Sequence, residues 1–271
     1  MQGLFTVAAG SITGRDHQWI NKNNQDAYYL WRDSHSLIAV VCDGCGSRPH
    51  SEVGAKIGAR LVVETIRRSL IGAAMDLNTA GFWQQIRQEI LGQLQQWAIA
   101  LGGDFVQTVL DYFLFTLAGT VITPTTTWIF SIGDGVIILN SQIQELGPFP
   151  DNAPPYLAYG LLASGAVNTE FQLHSPLPTP ELQTLLIGTD GVSELMQIGH
   201  QCLPGKQEFV QPIDQFWQED RYFSNPDCLR RRLTLINREV VRLNPRSQQL
   251  EKQPGLLPDD TTLIVIKRCP S

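Results

Sequence analysis

Five short segments of this chain place aspartate where an apolar run meets a turn. Val40-Val41-Cys42 runs into Asp43-Gly44, and Leu186-Ile187-Gly188-Thr189 runs into Asp190-Gly191. Asp259-Asp260 leads into Thr261-Thr262-Leu263-Ile264-Val265, Asn24-Gln25-Asp26 opens another run, and Gly133-Asp134-Gly135 sits between two more. Taken singly, each Asp-Gly reads as a turn dipeptide. Taken together they read differently, because carboxylates on the strand ends of packed sheets converge on one edge, where a following glycine lets the backbone approach an ion closely. Unpaired carboxylates gathered in one place repel unless a cation sits among them. Oxygen-only donors favour Mg²⁺ or Mn²⁺ over Zn²⁺ or copper. Two such ions about 3.5–4 Å apart activate a water and hold a phosphoryl oxygen, so the chemistry expected is hydrolysis.

The elements that must position these groups follow from hydrophobic periodicity. Strands are predicted over 4–12, 27–31, 37–42, 113–122, 126–132, 136–140, 182–188 and 261–267. The continuous apolar run from Leu37 to Cys42 suits a strand buried on both faces. Helices are predicted from about Ser51 through Leu70, over 81–101, over 207–218 and over 228–243. Residues 148–180, rich in proline and glycine, read as a surface excursion with one strand at 169–174. This order lacks a regular βαβα alternation and predicts an α+β fold, antiparallel sheets with helices packed outside them. No repeat, heptad or composition break marks a second domain.

Composition narrows the classes. The 271 residues carry 20 basic and 26 acidic side chains, a formal charge of −6, and 15 of the acidic residues are Asp. Aspartate favours turns and caps over helix interiors, so the location of that excess matters. The absence of a Lys/Arg run argues against a nucleic-acid or anionic-membrane surface, and Arg230-Arg231-Arg232 reads as one helix face. No apolar run reaches the ~18 residues of a membrane span, and no signal peptide is visible. Five cysteines, an odd count, suit reduced thiols and a cytoplasmic protein. Cys42 and Cys45 form a C-x-x-C without a second pair, which argues against structural zinc. Trp83, Trp97 and Trp217 are read as core or helix-packing residues.

The ordered set Asn24-Gln25-Asp26, Asp43-Gly44-Cys45-Gly46-Ser47 with Gly54-Ala55, Gly133-Asp134-Gly135, Gly188-Thr189-Asp190-Gly191 and Asp259-Asp260-Thr261 resembles the metal-dependent serine/threonine protein phosphatases of type 2C, the PPM family, and most of all its compact bacterial branch. The resemblance implies one domain over 1–271, a four-layer α-β-β-α sandwich with its metal centre at one edge. It implies that Asp43 bridges two Mn²⁺ or Mg²⁺ ions with the Gly44 carbonyl on one of them, and that Asp190 and Asp259 complete the other shell. Asp134 with Asp190 matches the place of a third ion, while Gln25, Asp26 and Asp260 stand in the second layer, Asp26 holding metal-bound waters. The implied reaction is in-line attack of the bridging hydroxide on the phosphorus of phosphoserine or phosphothreonine in a protein substrate. Asp43, Asp190 and Asp259 carry it, and a monomer is expected.

The chain departs from that pattern in four places. Gln25 stands where the family has Glu. The family's upstream phosphate-binding Arg has no counterpart, and Arg15, His17, Lys22 and His50 are the candidate substitutes. Gly46-Ser47 replaces Gly-Gly. Cys45 occupies a position where some members carry a His proposed as general acid, a role open to His17 or His50. Residues 196–225 fall where the family carries a flap beside the site, the expected seat of substrate preference. Two alternatives remain: a catalytically weak or inactive phosphopeptide-binding regulatory module of the same fold, and a hydrolase of small phosphoesters.

Overall fold

A computed structural model describes residues 1–72, 77–162, 168–243 and 248–270. The chain runs β1 (Phe5–Ile12), α1 (Arg15–Trp19), β2 (Asp26–Arg32), β3 (Leu37–Gly44), α2 (Ser51–Gly72), α3 (Ala80–Leu101), α4 (Phe105–Tyr112), β4 (Phe115–Ile122), β5 (Thr126–Ile132), β6 (Gly135–Leu139) and β7 (Gln142–Leu146). Two short strands follow, β8 (Gln172–Leu173) and β9 (Leu177–Pro178), then β10 (Thr184–Gly188) and α5 (Gly191–Gln197). The chain continues with α6 (Gln215–Gln218), α7 (Arg221–Ser224), α8 (Cys228–Ile236), β11 (Val240–Leu243), β12 (Leu250–Gln253) and β13 (Thr261–Arg268). One antiparallel sheet has the order β1-β13-β10-β6-β7, the other β2-β3-β4-β5-β8 with β9 also on β5.

Three apolar layers hold four structural layers together. Ile38, Val40, Phe115 and Phe130 of the second sheet pack on Val62, Ile66, Phe82 and Ile86 of α2 and α3. Leu186, Leu263 and Val265 of the first sheet pack on Val192, Leu195, Leu229 and Leu233. Between the sheets lie Leu37, Ala39, Val41, Ile187, Ile264 and Ile266. Each fully buried Leu, Ile or Val side chain contributes roughly 1.5–3 kcal/mol, so the inter-sheet layer is the main bond between the halves. The expected α-β-β-α sandwich is the observed one.

Alternation along β3 sets the position of the acidic edge. Ile38, Val40 and Cys42 face the helices, whereas Leu37, Ala39 and Val41 face the other sheet. Side chains alternate with period two, so Asp43 continues the inter-sheet file. Asp26 is its direct cross-strand partner and stands on the same face.

The other differences from the sequence reading that follow have identifiable physical causes. A helix, α4, precedes β4 beyond the elements the sequence predicts; the Asp104 side chain caps it by accepting from Gln107 N at 2.8 Å. Only Gln215–Gln218 of the helix expected over 207–218 forms. Gln211 lies at φ 70° and Pro212 has no N–H, so 207–212 turn back on Gln201 and Gly199 instead. The helix expected over 228–243 stops at Ile236, because Asn237 turns its side chain to Thr13 O and Leu257 N, and Val240–Leu243 pairs with β12. Within that helix Arg232 is buried against Glu208 while Arg230 and Arg231 pair with Asp227, so the three arginines do not form one face. The strand expected at 169–174 shrinks to β8, and residues 163–167 of that excursion lie outside the described residues. Trp83 and Trp217 are buried and Trp97 packs on the core. Among the described residues no helix is long and apolar enough to cross a membrane.

Helix α2 meets the end of α4 closely enough that a Cβ on Gly54 would lie 1.9 Å from Tyr112 O. Gly54→Ala is therefore expected to lower stability by about 2 kcal/mol, a fall in Tm of roughly 4–8 °C. Gly92→Ala in α3, where a Cβ meets nothing within 4 Å, is expected to leave Tm unchanged or raise it. Thermal unfolding of the two variants checks the contrast.

Candidate metal centre

Both sheets deliver carboxylates to one end of the sandwich. Asp26 and Asp43 come from the paired strands β2 and β3. Across the layer, Gly188 pairs with Val136 and with Leu263, so Asp190 leaves the end of β10 beside the turn carrying Asp134 and the start of β13 carrying Asp259 and Asp260. Thr189 bridges the halves: its hydroxyl donates to Asp26 Oδ2 at 2.7 Å, and its backbone N–H donates to Thr262 O at 3.0 Å. The resulting cavity, about 230 Å³, is lined by Asp43, Asp134, Asp190 and Asp259 with His17, Gln25, Gly44, Cys45, Gly46, Ser47, Pro154 and Tyr156.

Glycine is required where the backbone closes around this cavity. A Cβ on Gly191 would lie 2.1 Å from Asp260 O, and one on Gly44 would lie 2.8 Å from Ser51 O. These contacts explain the Asp-Gly pairs better than turn preference alone, since Asp190 is followed directly by α5 and Asp43 lies inside a strand.

The electrostatics are those of a crowded anionic site. Burial, followed by the charges of Asp26, Asp190, Asp134 and Asp259, pushes Asp43 well above the usual carboxylate range. Burial and then Asp260 do the same to Asp26. Burial and then Asp259 raise Asp190 to about 7. Asp134 and Asp259 are raised too, mainly by burial. Burial and the neighbouring Cys45 thiol hold the Tyr156 hydroxyl protonated.

A divalent ion fits this donor set. Asp26 Oδ1, Asp134 Oδ1 and Gln25 Oε1 are buried without a hydrogen-bond partner, a costly arrangement that a cation or its bound water relieves. Asp260 plays a different part. Its carboxylate accepts from Gly14 N and from Gln25 N, both at 2.6 Å, and so ties α1 and β2 to β13.

Gln25 has a structural reason to be neutral. Its amide Nε2 donates to Ser51 Oγ and lies 3.3–3.4 Å from the carbonyls of Arg48 and Cys45, clamping the loop after Asp43. A carboxylate there would meet those carbonyls with no proton to offer.

The four candidates for the missing arginine separate clearly. His17 lines the cavity. Lys22 reaches its rim by donating to Gly46 O. Arg15 turns away to Asp16 and Gly255 O, and His50 stacks on Tyr112 with ring centroids 4.7 Å apart; neither lines the cavity. No residue of 196–225 lines it either, because that segment packs against the outer face of the first sheet through Ile198, Val210, Phe216 and Trp217. The expected flap gives way to Pro154 and Tyr156. Tyr156 lies in the stretch 148–180 whose composition predicts surface, and the aromatic after Pro154-Pro155 is the one signal in the sequence that points to it. Cys42 is buried in β3 and Cys45 faces the cavity, both as free thiols.

An antiparallel α-β-β-α sandwich with an acidic edge of this kind defines a metal-dependent hydrolase. The protein phosphatase 2C family model matches residues 13–229, and the chain belongs to that family of metal-dependent protein phosphatases. The match ends before Asp259, but the structural likeness extends further. The serine/threonine phosphatase Stp1 from Staphylococcus aureus is similar over 96% of this chain and 94% of its own, with TM-score 0.56 and 13% identity. A bacterial serine phosphatase is similar over 98% of both chains with TM-score 0.54 and 14% identity. The catalytic domain of the phosphatase PstP, solved with two manganese ions, is similar over 98% of this chain and 99% of its own, with TM-score 0.51 and 14% identity. No curated protein sequence matches.

The raised carboxylates fix the sign of a pH effect. Their folded-state pKa values lie above the unfolded value near 3.9, so folding favours the protonated forms. That stabilisation is complete below about pH 4 and is lost as pH rises through about 7, where Asp190 titrates. In chelator, Tm is expected to fall between pH 5 and pH 8, and less steeply in Asp190→Asn. A flat profile in the wild type contradicts this electrostatic reading.

Proposed function

We infer that this chain hydrolyses phosphoserine and phosphothreonine in protein substrates at the cavity between its sheets, with Mn²⁺ or Mg²⁺ held by Asp43, the Gly44 carbonyl, Asp190 and Asp259, and a further ion near Asp134. The observation that carries the reading is the convergence of buried, mutually repelling carboxylates from both sheets on one cavity. Bound there, divalent cations supply charge neutralisation and water activation at neutral pH. The manganese bound by PstP and the magnesium bound by RsbX, a structural relative with TM-score 0.50, agree with this donor set.

The residues of the chain supply the rest. Asp26, oriented by Thr189, offers Oδ1 as an acceptor for a water proton. Tyr156, held protonated, presents a neutral hydroxyl at the cavity wall. Lys22 at the rim is placed to receive the substrate phosphate as a point charge, without the two-pronged grip of arginine. Cys45 and Ser47 are the thiol and aliphatic hydroxyl on the wall. Their side chains meet each other at 3.3 Å, and among the described residues no histidine or lysine hydrogen-bonds to either side chain. Neither is thus an activated nucleophile, which supports direct, in-line attack by water. Residues 1–271 act as one domain in this reading, since each sheet contributes ligands. Five free thiols suit a reducing, cytoplasmic setting.

The test is turnover of a phosphothreonine peptide and of a chromogenic aryl phosphate with Mn²⁺, with chelator and in Asp43→Ala. Mn²⁺-dependent hydrolysis of both substrates is expected, falling by at least ~10³-fold in the variant, about 4 kcal/mol of barrier. Peptide binding without turnover would instead favour the regulatory module, for which the neutral Gln25 and the absence of an arginine from the cavity speak. Turnover of the aryl phosphate alone would favour a small-phosphoester hydrolase.

A further inference from the structure

We propose that His17 contributes an imidazole nitrogen to the ion held by Asp259, so that one metal shell here is mixed nitrogen and oxygen rather than oxygen alone. The proposal rests on the metal-dependent reading above. Helix α1 carries His17, and its backbone is fastened to the strand segment that carries the carboxylates. Gly14 N donates to Asp260 Oδ1, Arg15 N to Leu257 O at 2.8 Å and Asp16 N to Pro258 O at 3.0 Å. The fastening is tight: a Cβ on Gly14 would lie 2.3 Å from the Asp259 carbonyl carbon. His17 therefore has little freedom to be anywhere but against Asp259 and Asp260.

The side chains of His17, Asp259 and Asp260 are gathered closely enough to share an ion. Donor atoms of His17, Asp259 and Asp260 all lie within 4.8 Å of one another. His17 Nδ1 stands 3.0 Å from Asp260 Oδ2, yet out of line for a hydrogen bond, and it is buried without another partner. No protein group among the described residues bonds the second ring nitrogen, and the ring lines the cavity with Asp43 and Asp190. Metal-binding histidines usually turn one ring nitrogen to an outer carboxylate, which leaves the other for the ion. Asp260 is fixed for that part by its two backbone donors. An ion with bonds near 2.1 Å needs donors about 3 Å apart at right angles and about 4 Å apart across it. The 4.8 Å within which the His17, Asp259 and Asp260 donors are gathered is close to that range.

A nitrogen donor alters metal choice. Both ions favour oxygen donors, but a transition-metal ion such as Mn²⁺ takes an imidazole nitrogen more readily than Mg²⁺, which keeps to oxygen and water. Removing His17 should therefore weaken Mn²⁺ binding by about tenfold and change Mg²⁺ binding much less.

Pulsed EPR of Mn²⁺ bound to the intact chain reads the bond directly, because a coordinated imidazole leaves nitrogen-14 modulation on the electron spin echo. The chain has five histidines, and among them only His17 lines the cavity. Modulation in the wild type, lost in His17→Ala along with Mn²⁺ affinity by calorimetry, is the expected result. Bound Mn²⁺ without nitrogen modulation, or modulation that survives in His17→Ala, overturns the proposal while leaving the metal-dependent reading intact. Failure of the wild type to bind Mn²⁺ at all overturns both. The wild-type spectrum is decisive by itself should the variant fold poorly.

Discussion

Two like charges 4 Å apart repel by about 4 kcal/mol at the effective dielectric near 20 that suits protein sites. The edge of this sandwich sets Asp26, Asp43, Asp134, Asp190 and Asp259 to act on one another in that way. Such an arrangement persists only if something else holds the sheets together, and that is the apolar layer of Leu37, Ala39, Val41, Ile187, Ile264 and Ile266 directly behind it. On β3 that edge is the continuation of the apolar file that bonds the two sheets, and the turns at the ends of β10 and β13 deliver Asp190 and Asp259 to it. Hydrophobic burial imposes the convergence, and divalent cations discharge it.

Local details serve the same constraint. Thr189 ties Asp26 to the opposite sheet, and Asp260 spends both its oxygens on backbone amides rather than facing the cavity. Glycine at 44 and 191 lets backbone close in behind Asp43 and Asp190. Gln25 donates where a carboxylate would repel, so the loop after Asp43 is clamped without another negative charge. Two divalent cations would move the formal charge from −6 to −2, so part of the chain's acidity belongs to the carboxylates gathered at this edge.

Much of this was legible in the sequence for a physical reason. The period-two run from Leu37 to Cys42, buried on both faces, carries the inter-sheet face out to Asp43, and the apolar runs of β10 and β13 adjoin the turns that carry Asp190 and Asp259. What stayed hidden depends on contacts between distant segments. Asn237 ends α8 by bonding Thr13 and Leu257, which no local propensity announces. Tyr156 enters the cavity from a proline-rich stretch whose composition reads as loop. The sorting of Arg15, His17, Lys22 and His50 is likewise tertiary, because spacing along the chain does not say which of them the Asp259-Asp260 segment draws inward.

The central claim is that these carboxylates are held partly protonated by burial and by one another and are ionised by the cation. Calorimetric titration of Mn²⁺ into the metal-free chain, repeated in buffers of different ionisation enthalpy, counts the protons expelled on binding. The account predicts proton release near pH 6 that diminishes toward pH 8, and loss of tight binding in Asp43→Asn. Binding with no proton release across that range, or binding indifferent to Asp43, would contradict it.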